Sequence, residues 1–247
     1  MSDLSYAVQL AQKLIRCPSI TPEEAGTLDL LEAELIQLGF NCTRLAFGDG
    51  KDRIDNLYAE FGEGTAHFAF AGHVDVVPVG RVEDWQFNPF QAEISDGFLY
   101  GRGAADMKSG IAAFISAIRQ WQESSQKQTK ISLIITGDEE ADAINGTSKM
   151  VDWMRQNNIR PDMCIVAEPT SQTQIGDNIR NGRRGSLSGS LIVTGQQGHV
   201  AYPHLARNPT SALMQMLAPV TSAELDGGNP NFGPSTCLLY TSDAADD

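Results

Sequence analysis

His73 and Asp75 stand two residues apart just after the apolar run His67–Ala71. On a strand that spacing points both side chains to one side of a sheet. There an imidazole can ligate a metal through one ring nitrogen while a carboxylate accepts the other ring N–H and fixes the tautomer. Asp106 lies between the turn Gly101-Arg102-Gly103 and an apolar stretch, Glu139 and Glu140 follow Ile131–Thr136 across Gly137-Asp138, and Glu168 follows Met163–Ala167. Each falls where an apolar run meets a loop, and in open α/β sheets ligands bind at the carboxyl ends of strands. Carboxylates gathered there repel one another unless a cation joins them. Asp106, Glu139, Glu140 and Glu168 with one neutral histidine therefore suggest a divalent metal pair: a bridging Asp, terminal ligands, and one free Glu to take a proton from bound water, the parts of a two-metal hydrolase.

Each residue alone has a plainer reading. A histidine on a strand is commonly a hydrogen-bonded core residue. Asp75 can cap a loop, Asp106 can be the N-cap of the helix that follows, Glu139-Glu140 can be a solvated loop, and Glu168 before Pro169 can be an ordinary strand end. Their recurrence at successive strand ends favours the metal centre. His67 reads as structural. The dinucleotide pattern G-x-G-x-x-G fails, because position 106 is Asp.

The elements that must carry these residues follow from periodicity. Leu4, Ala7, Val8, Ala11, Leu14 and Ile15 form a helical stripe that Pro18 ends. Thr21-Pro22-Glu23-Glu24 reads as a cap opening a helix to about Leu38. Strands are expected at Asn56–Phe61, from His67 into Val77, at Ile131–Thr136 and at Met163–Val166, with helices at Met107–Trp121 and Ser148–Asn157. That alternation predicts an α/β fold: a mostly parallel sheet with helices on both faces. From about Arg180 the pattern changes to a half-exposed strand at Ser186–Val193 and a helix at Asn208–Met216. The expected organisation is residues 1–179 as the metal-binding domain, 180–236 as the start of a smaller α+β domain, and 237–247 as a foreign or frameshifted tail.

Composition narrows the partners. Eighteen Lys and Arg against 31 Asp and Glu give a formal charge of −13, with no basic cluster, which argues against nucleic acid and anionic lipid. No apolar run approaches the ~20 residues of a bilayer span, and the N-terminus lacks the basic start and apolar stretch of a secretory signal. Cytoplasm is the expected compartment. Cys17, Cys42, Cys164 and Cys237 form no C-x-x-C pair and are expected to be reduced, mostly structural thiols.

At these residues the sequence resembles the di-zinc aminoacylase and carboxypeptidase family. The stretches that carry the likeness are Gly72–Pro78, Gly101–Lys108, Gly137–Ala141, Asn145-Gly146-Thr147, Val166–Thr170, Asn181–Ser186 and Gly198–His204. The resemblance implies two Zn²⁺ per subunit, with Co²⁺ a possible substitute. Asp106 would bridge both ions, His73 and Glu168 would complete one site, and Glu140 would serve the other. It further implies that Asp75 holds His73 in its tautomer and that Glu139 is the general base which later protonates the departing amine. A homodimer is implied too, in which His199 of the smaller, lid-forming domain reaches the partner subunit's site to stabilise an oxyanion, and Arg183 clamps a substrate carboxylate. Within that resemblance, Ala104-Ala105, Asn145-Gly146-Thr147 and Arg183-Arg184 are similar to members that take a small-molecule succinyl amide, which implies N-succinyl-LL-2,6-diaminopimelate of lysine biosynthesis over the acetyl amide of ornithine.

One departure accompanies the likeness. Family members are longer and return to finish the catalytic sheet with a last His ligand, whereas no His follows His204 here. The 247 residues as they stand are therefore expected to bind the second ion poorly and to turn over little. A reading from another class is a non-catalytic one-zinc binding or dimerisation fragment, which would have no use for Glu139.

Overall fold

In the computed structural model, which describes residues 5–123, 129–180 and 182–239, the apolar run Thr129–Thr136 forms the centre of a sheet. Along it Ile131, Leu133 and Ile135 face one side, while Ser132 and Ile134 face the other. Strand alternation thus divides the run between two clusters. Among the described residues the sheet has five strands: β1 (Asn41–Phe47), β2 (Ile54–Phe61), β3 (Ala66–His73), β6 (Thr129–Thr136) and β7 (Met163–Val166). Their order across it is β1-β2-β6-β3-β7. β3 runs parallel to both β6 and β7, β2 is antiparallel to β6, and β1 is antiparallel to β2. Only β2 opposes the common direction, so the expected mostly parallel sheet is present. A short hairpin, β4 (Glu93–Ser95) with β5 (Phe98–Tyr100), stands apart from it.

Helices cover both faces. On one side Leu10, Ala11 and Leu14 of α1 (Tyr6–Ile15), Leu28, Leu31 and Leu35 of α2 (Thr27–Gln37), and Ile111, Ala112, Ile115 and Ile118 of α3 (Ser109–Gln122) meet Leu57, Ala59, Phe70, Leu133 and Ile135. On the other, Met150 and Met154 of α4 (Thr147–Gln156) pack on Tyr58, Ala69 and Ile134. Both clusters are assembled from the periodic apolar positions of the sequence.

The differences from expectation have local causes. α2 begins at Thr27, not near Pro22, because Ala25 (φ 50°) and Gly26 (φ 80°) are left-handed and break the helix. The acidic cap exists one turn later than expected: the Glu24 carboxylate accepts the Leu28 N–H at 2.9 Å. β1 has no counterpart among the expected strands, since Asn-Cys-Thr-Arg-Leu-Ala-Phe alternates weakly. It is an edge strand whose Arg44 pairs with Glu32 at 2.9 Å and with Asp29 on α2.

The chain divides into two compact units, Met1–Ser171 and Gln172–Asp247. In the second, α5 (Pro209–Ser222) starts at Asn208, whose side chain accepts the Thr210 and Ser211 N–H groups. It runs past Met216, the end expected from the sequence. Residues 186–193 are not in a strand, and Leu187 and Ile192 are almost fully exposed; alternation marks a strand only where a neighbouring strand accepts its hydrogen bonds. Leu4, Asn181 and the last eight residues of the expected tail lie outside the described residues. Among the described residues no helix is long and apolar enough to cross a membrane.

Candidate metal centre

β3 ends at His73, and the chain beyond it stays extended because Ser19–Thr21 staples it. Val76 N–H donates to Ser19 O at 2.9 Å, Thr21 N–H donates to Val76 O at 3.0 Å, and the Ser19 hydroxyl donates to Val74 O at 2.6 Å. His73 and Asp75 are both buried. His73 Nδ1 lies 2.9 Å from the backbone oxygen of Asp75 and 3.6 Å from its carboxylate. A carbonyl oxygen only accepts, so Nδ1 carries the proton and Nε2 is the nitrogen left for a cation. The backbone of Asp75, more than its carboxylate, thus sets the tautomer. The carboxylate also organises a neighbouring loop, accepting the N–H groups of Glu139 at 3.1 and 3.2 Å and of Glu140 at 3.0 Å. Two glutamates on that loop are thereby hung from the strand end that carries the histidine.

Around Nε2 stand three carboxylates: Asp106 Oδ1 at 3.0 Å, Glu168 Oε1 at 3.7 Å and Glu139 Oε2 at 3.9 Å. Candidate ligand atoms of His73, Asp106 and Glu168 all lie within 4.8 Å of one another. Burial works against a charged imidazole, yet hydrogen bonding to Asp106 and Asp75 pushes His73 up to about 11. Burial, with repulsion from Asp106 and Glu139, pushes Glu140 and Glu168 up to about 7. This density of negative charge on one neutral-capable ring nitrogen suits a divalent cation, which would take the place of the shared protons.

Asp106 does not cap α3. It sits in the turn Ala104–Lys108 with extended backbone (φ −116°, ψ 103°), and the N-cap of α3 is Lys108. Gly103 opens that turn at φ 78°, where an added Cβ would lie 2.7 Å from Val76 Cγ1. Gly103→Ala is expected to destabilise the protein by about 1–3 kcal/mol, the usual cost of a strained left-handed residue. Denaturant melts of the two proteins measure it, and an unchanged midpoint would contradict the tight fit.

The Glu139-Glu140 loop is shaped by Asp138, a residue that the sequence pattern does not single out. Its buried carboxylate accepts the N–H groups of Ala143 at 3.1 Å and Asn145 at 3.0 Å. Gly146 lets the loop close, since a Cβ there would collide with Asp138 O and Thr136 Oγ1. The signal available was an acid beside a run of small and turn-forming residues. Glu168 follows β7 by two residues, and Gly110 allows α3 to approach, a Cβ there lying 3.0 Å from Ala167 O.

His73, Asp75, Asp106, Glu139, Glu140 and Glu168 all belong to the first unit, whereas Arg183 and His199 belong to the second. Arg183 is exposed, and exposed His199 accepts the Ala201 N–H on Nδ1 at 3.1 Å.

Comparison with known proteins places the chain in a family. The family model "Peptidase family M20/M25/M40" matches residues 69–246. Proteins named succinyl-diaminopimelate desuccinylase from Rhodospirillum centenum and Parvibaculum lavamentivorans are each 52% identical over 96% of this chain, covering 62% and 60% of their own lengths. The chain thus spans about three-fifths of the length of these curated relatives. Among solved structures, the M20 family metallo-carboxypeptidase Sso-CP2 from Sulfolobus solfataricus shares the fold at a TM-score of 0.66 and 22% identity, over 91% of this chain and 51% of that one. Human carnosine dipeptidase 1 aligns at 0.59 and 25% identity, over 66% of this chain and 38% of that one. A histidine and acids gathered at the strand ends of such a sheet, and a family match over most of the chain that includes every one of them, lead to one conclusion: the chain belongs to peptidase family M20/M25/M40.

Proposed function

We propose that these residues form the centre of a metal-dependent amidohydrolase that cleaves N-succinyl-LL-2,6-diaminopimelate to succinate and LL-2,6-diaminopimelate. The observation that carries the reading is His73 Nε2, its tautomer set by Asp75, facing Asp106, Glu139 and Glu168 within 4 Å. The names of relatives at 52% identity support the choice of substrate.

In this reading His73, Asp106 and Glu168 hold one cation, and Asp106 with Glu140 serves a second, zinc being the expected metal and cobalt a substitute. Such an ion supplies Lewis acidity and a nucleophilic water at neutral pH. Glu139 does the proton transfer: its carboxylate is 39% exposed, and its backbone is fixed by Asp75. It takes the proton of the attacking water and returns it to the departing amine, so that one group serves as base and then acid. Arg183 pairs with a substrate carboxylate through its planar fork. In a homodimer His199 donates to the developing oxyanion of the partner subunit's substrate. The reading places the protein in the cytoplasm.

The test is release of succinate from N-succinyl-LL-2,6-diaminopimelate against release of acetate from Nα-acetylornithine, by Zn²⁺- or Co²⁺-loaded protein. Succinate release is expected to be faster by about tenfold or more, the worth of a charged hydrogen bond to the extra carboxylate, and a chelator should stop it. Faster acetate release would move the chain to the ornithine-type deacylases. Turnover by these 247 residues is expected to be slow, so the assay runs with protein in excess over substrate; tight cation binding with neither product under those conditions would leave the non-catalytic zinc-binding reading.

A further inference from the structure

Lys108 is fully buried, yet no carboxylate is among its hydrogen-bond partners. Its Nζ donates to Leu14 O at 2.9 Å and to Cys17 O at 2.8 Å. Leu14 lies in the last turn of α1 and Cys17 just past its C-cap, Arg16, where the helix dipole favours a cation. Neither carbonyl depends on the lysine. Leu14 O already receives the Cys17 N–H at 3.2 Å, and Cys17 O receives the Ser19 N–H at 2.8 Å. A buried ammonium is expensive in desolvation, and an apolar chain of the same length would fill the space. What the ammonium adds is a tie between two segments.

One segment is the turn that bears Asp106. Lys108 N–H closes it on Gly103 O at 3.0 Å, and Met107 anchors it to β3, its sulfur accepting the His73 N–H at 3.3 Å. The other runs from the end of α1 through Cys17 to Ser19–Thr21, the stretch stapled to Val74–Val76 beside His73 and Asp75. Lys108 therefore completes a ring of contacts: Asp106 turn, α1 terminus, Ser19–Thr21, Val74–Val76, and back to His73. Across that ring Nε2 of His73 and Oδ1 of Asp106 stand 3.0 Å apart.

We propose that Lys108 is a positioning residue for cation binding, its ammonium fixing the Asp106 turn to the end of α1 and so setting the separation of His73 and Asp106. The inference rests on the reading that these two residues hold a cation. Its test is Co²⁺ affinity, together with the visible Co²⁺ absorption band, which reports ligand geometry. Unsubstituted protein is compared with Lys108→Met, Lys108→Gln and Lys108→Arg, and the metal-free melting temperature of each is recorded. Lys108→Met and Lys108→Gln should bind at least about tenfold more weakly, the range found when a group supporting a metal ligand is removed. They should also show a shifted band while melting no lower than the unsubstituted protein. Lys108→Arg, which restores donors to both carbonyls, should bind within about threefold of it.

Unchanged affinity and band in the neutral variants overturn the proposal. So does weakened binding that accompanies lowered metal-free melting in both, since that is ordinary loss of structure, and so does a Lys108→Arg protein as weak as Lys108→Met. Should Lys108→Met fail to fold, Lys108→Gln, whose amide retains a donor, gives the same comparison. If the unsubstituted protein binds no Co²⁺ at all, the functional reading falls and this inference with it. Equal binding by all four proteins removes only the role of Lys108.

Discussion

In the proposed amide hydrolysis, Glu139→Gln is expected to lower succinate release by about 10²- to 10⁴-fold, the usual contribution of a positioned general base, and to leave affinity for one divalent cation within about threefold. The two halves of this expectation have separate causes. The cluster whose ligand atoms lie within 4.8 Å of one another is His73, Asp106 and Glu168, without Glu139. Removing the charge of Glu139 therefore takes no member from that set. The substitution also keeps the side chain in place. The Glu139 N–H is held by both oxygens of Asp75, at 3.1 and 3.2 Å, and this hold belongs to the backbone and is indifferent to the side chain. A glutamine there has the same length and reach but no lone pair basic enough to accept a proton from water. Single-turnover assays with protein in excess over substrate, paired with a chelator-competition titration, measure both quantities. A loss in turnover below tenfold would assign the proton transfer elsewhere. A parallel loss of cation affinity would make Glu139 a ligand and leave the base to be found.

The residue pattern pointed to the acids and the histidine that the fold gathers at its strand ends better than to the contacts that hold them. His73, Asp106, Glu139, Glu140 and Glu168 were legible because acids and a histidine at the ends of apolar runs break the expected pattern of a buried strand. The strands themselves were legible where burial on both faces gives an unbroken apolar run, as in Ile131–Thr136. Edge strand β1 and the β4–β5 hairpin lack that signature, since each has a side open to water. Backbone partnerships are invisible to residue type. Nothing in the letters says that His73 Nδ1 would find the carbonyl of Asp75 while its carboxylate serves two amides on another loop. The same holds for Asp106, whose place before a helix reads equally well as an N-cap. Only the extended backbone at Asp106 and the left-handed Gly103 before it turn the carboxylate toward the histidine instead.

His73→Ala is expected to reduce affinity for the proposed first cation by about two to three orders of magnitude. Apparent zinc energies of about 10–16 kcal/mol over four ligands correspond to roughly 2.5–4 kcal/mol per ligand, or about 10²- to 10³-fold. Local geometry places the effect at the upper end of that range. His73 is the sole nitrogen donor in the cluster, and its ring is fixed by the Asp75 carbonyl, so little ordering cost remains when a cation arrives. Asp106 and Glu168, left facing each other with Glu139 and Glu140 nearby, lose the group that now tempers their repulsion; a proton shared between carboxylates relieves that repulsion at the expense of a ligand atom. The fold should survive, because the core on which β3 rests is made by Phe70, Leu133 and Ile111, with the imidazole beyond its end. Competition against a chromogenic chelator gives the affinity, and far-ultraviolet circular dichroism of the metal-free protein confirms that the fold is kept. Binding within tenfold of the unsubstituted protein would mean that the carboxylates alone hold the ion, and the centre would then be a site for a hard, oxygen-seeking cation and not for zinc.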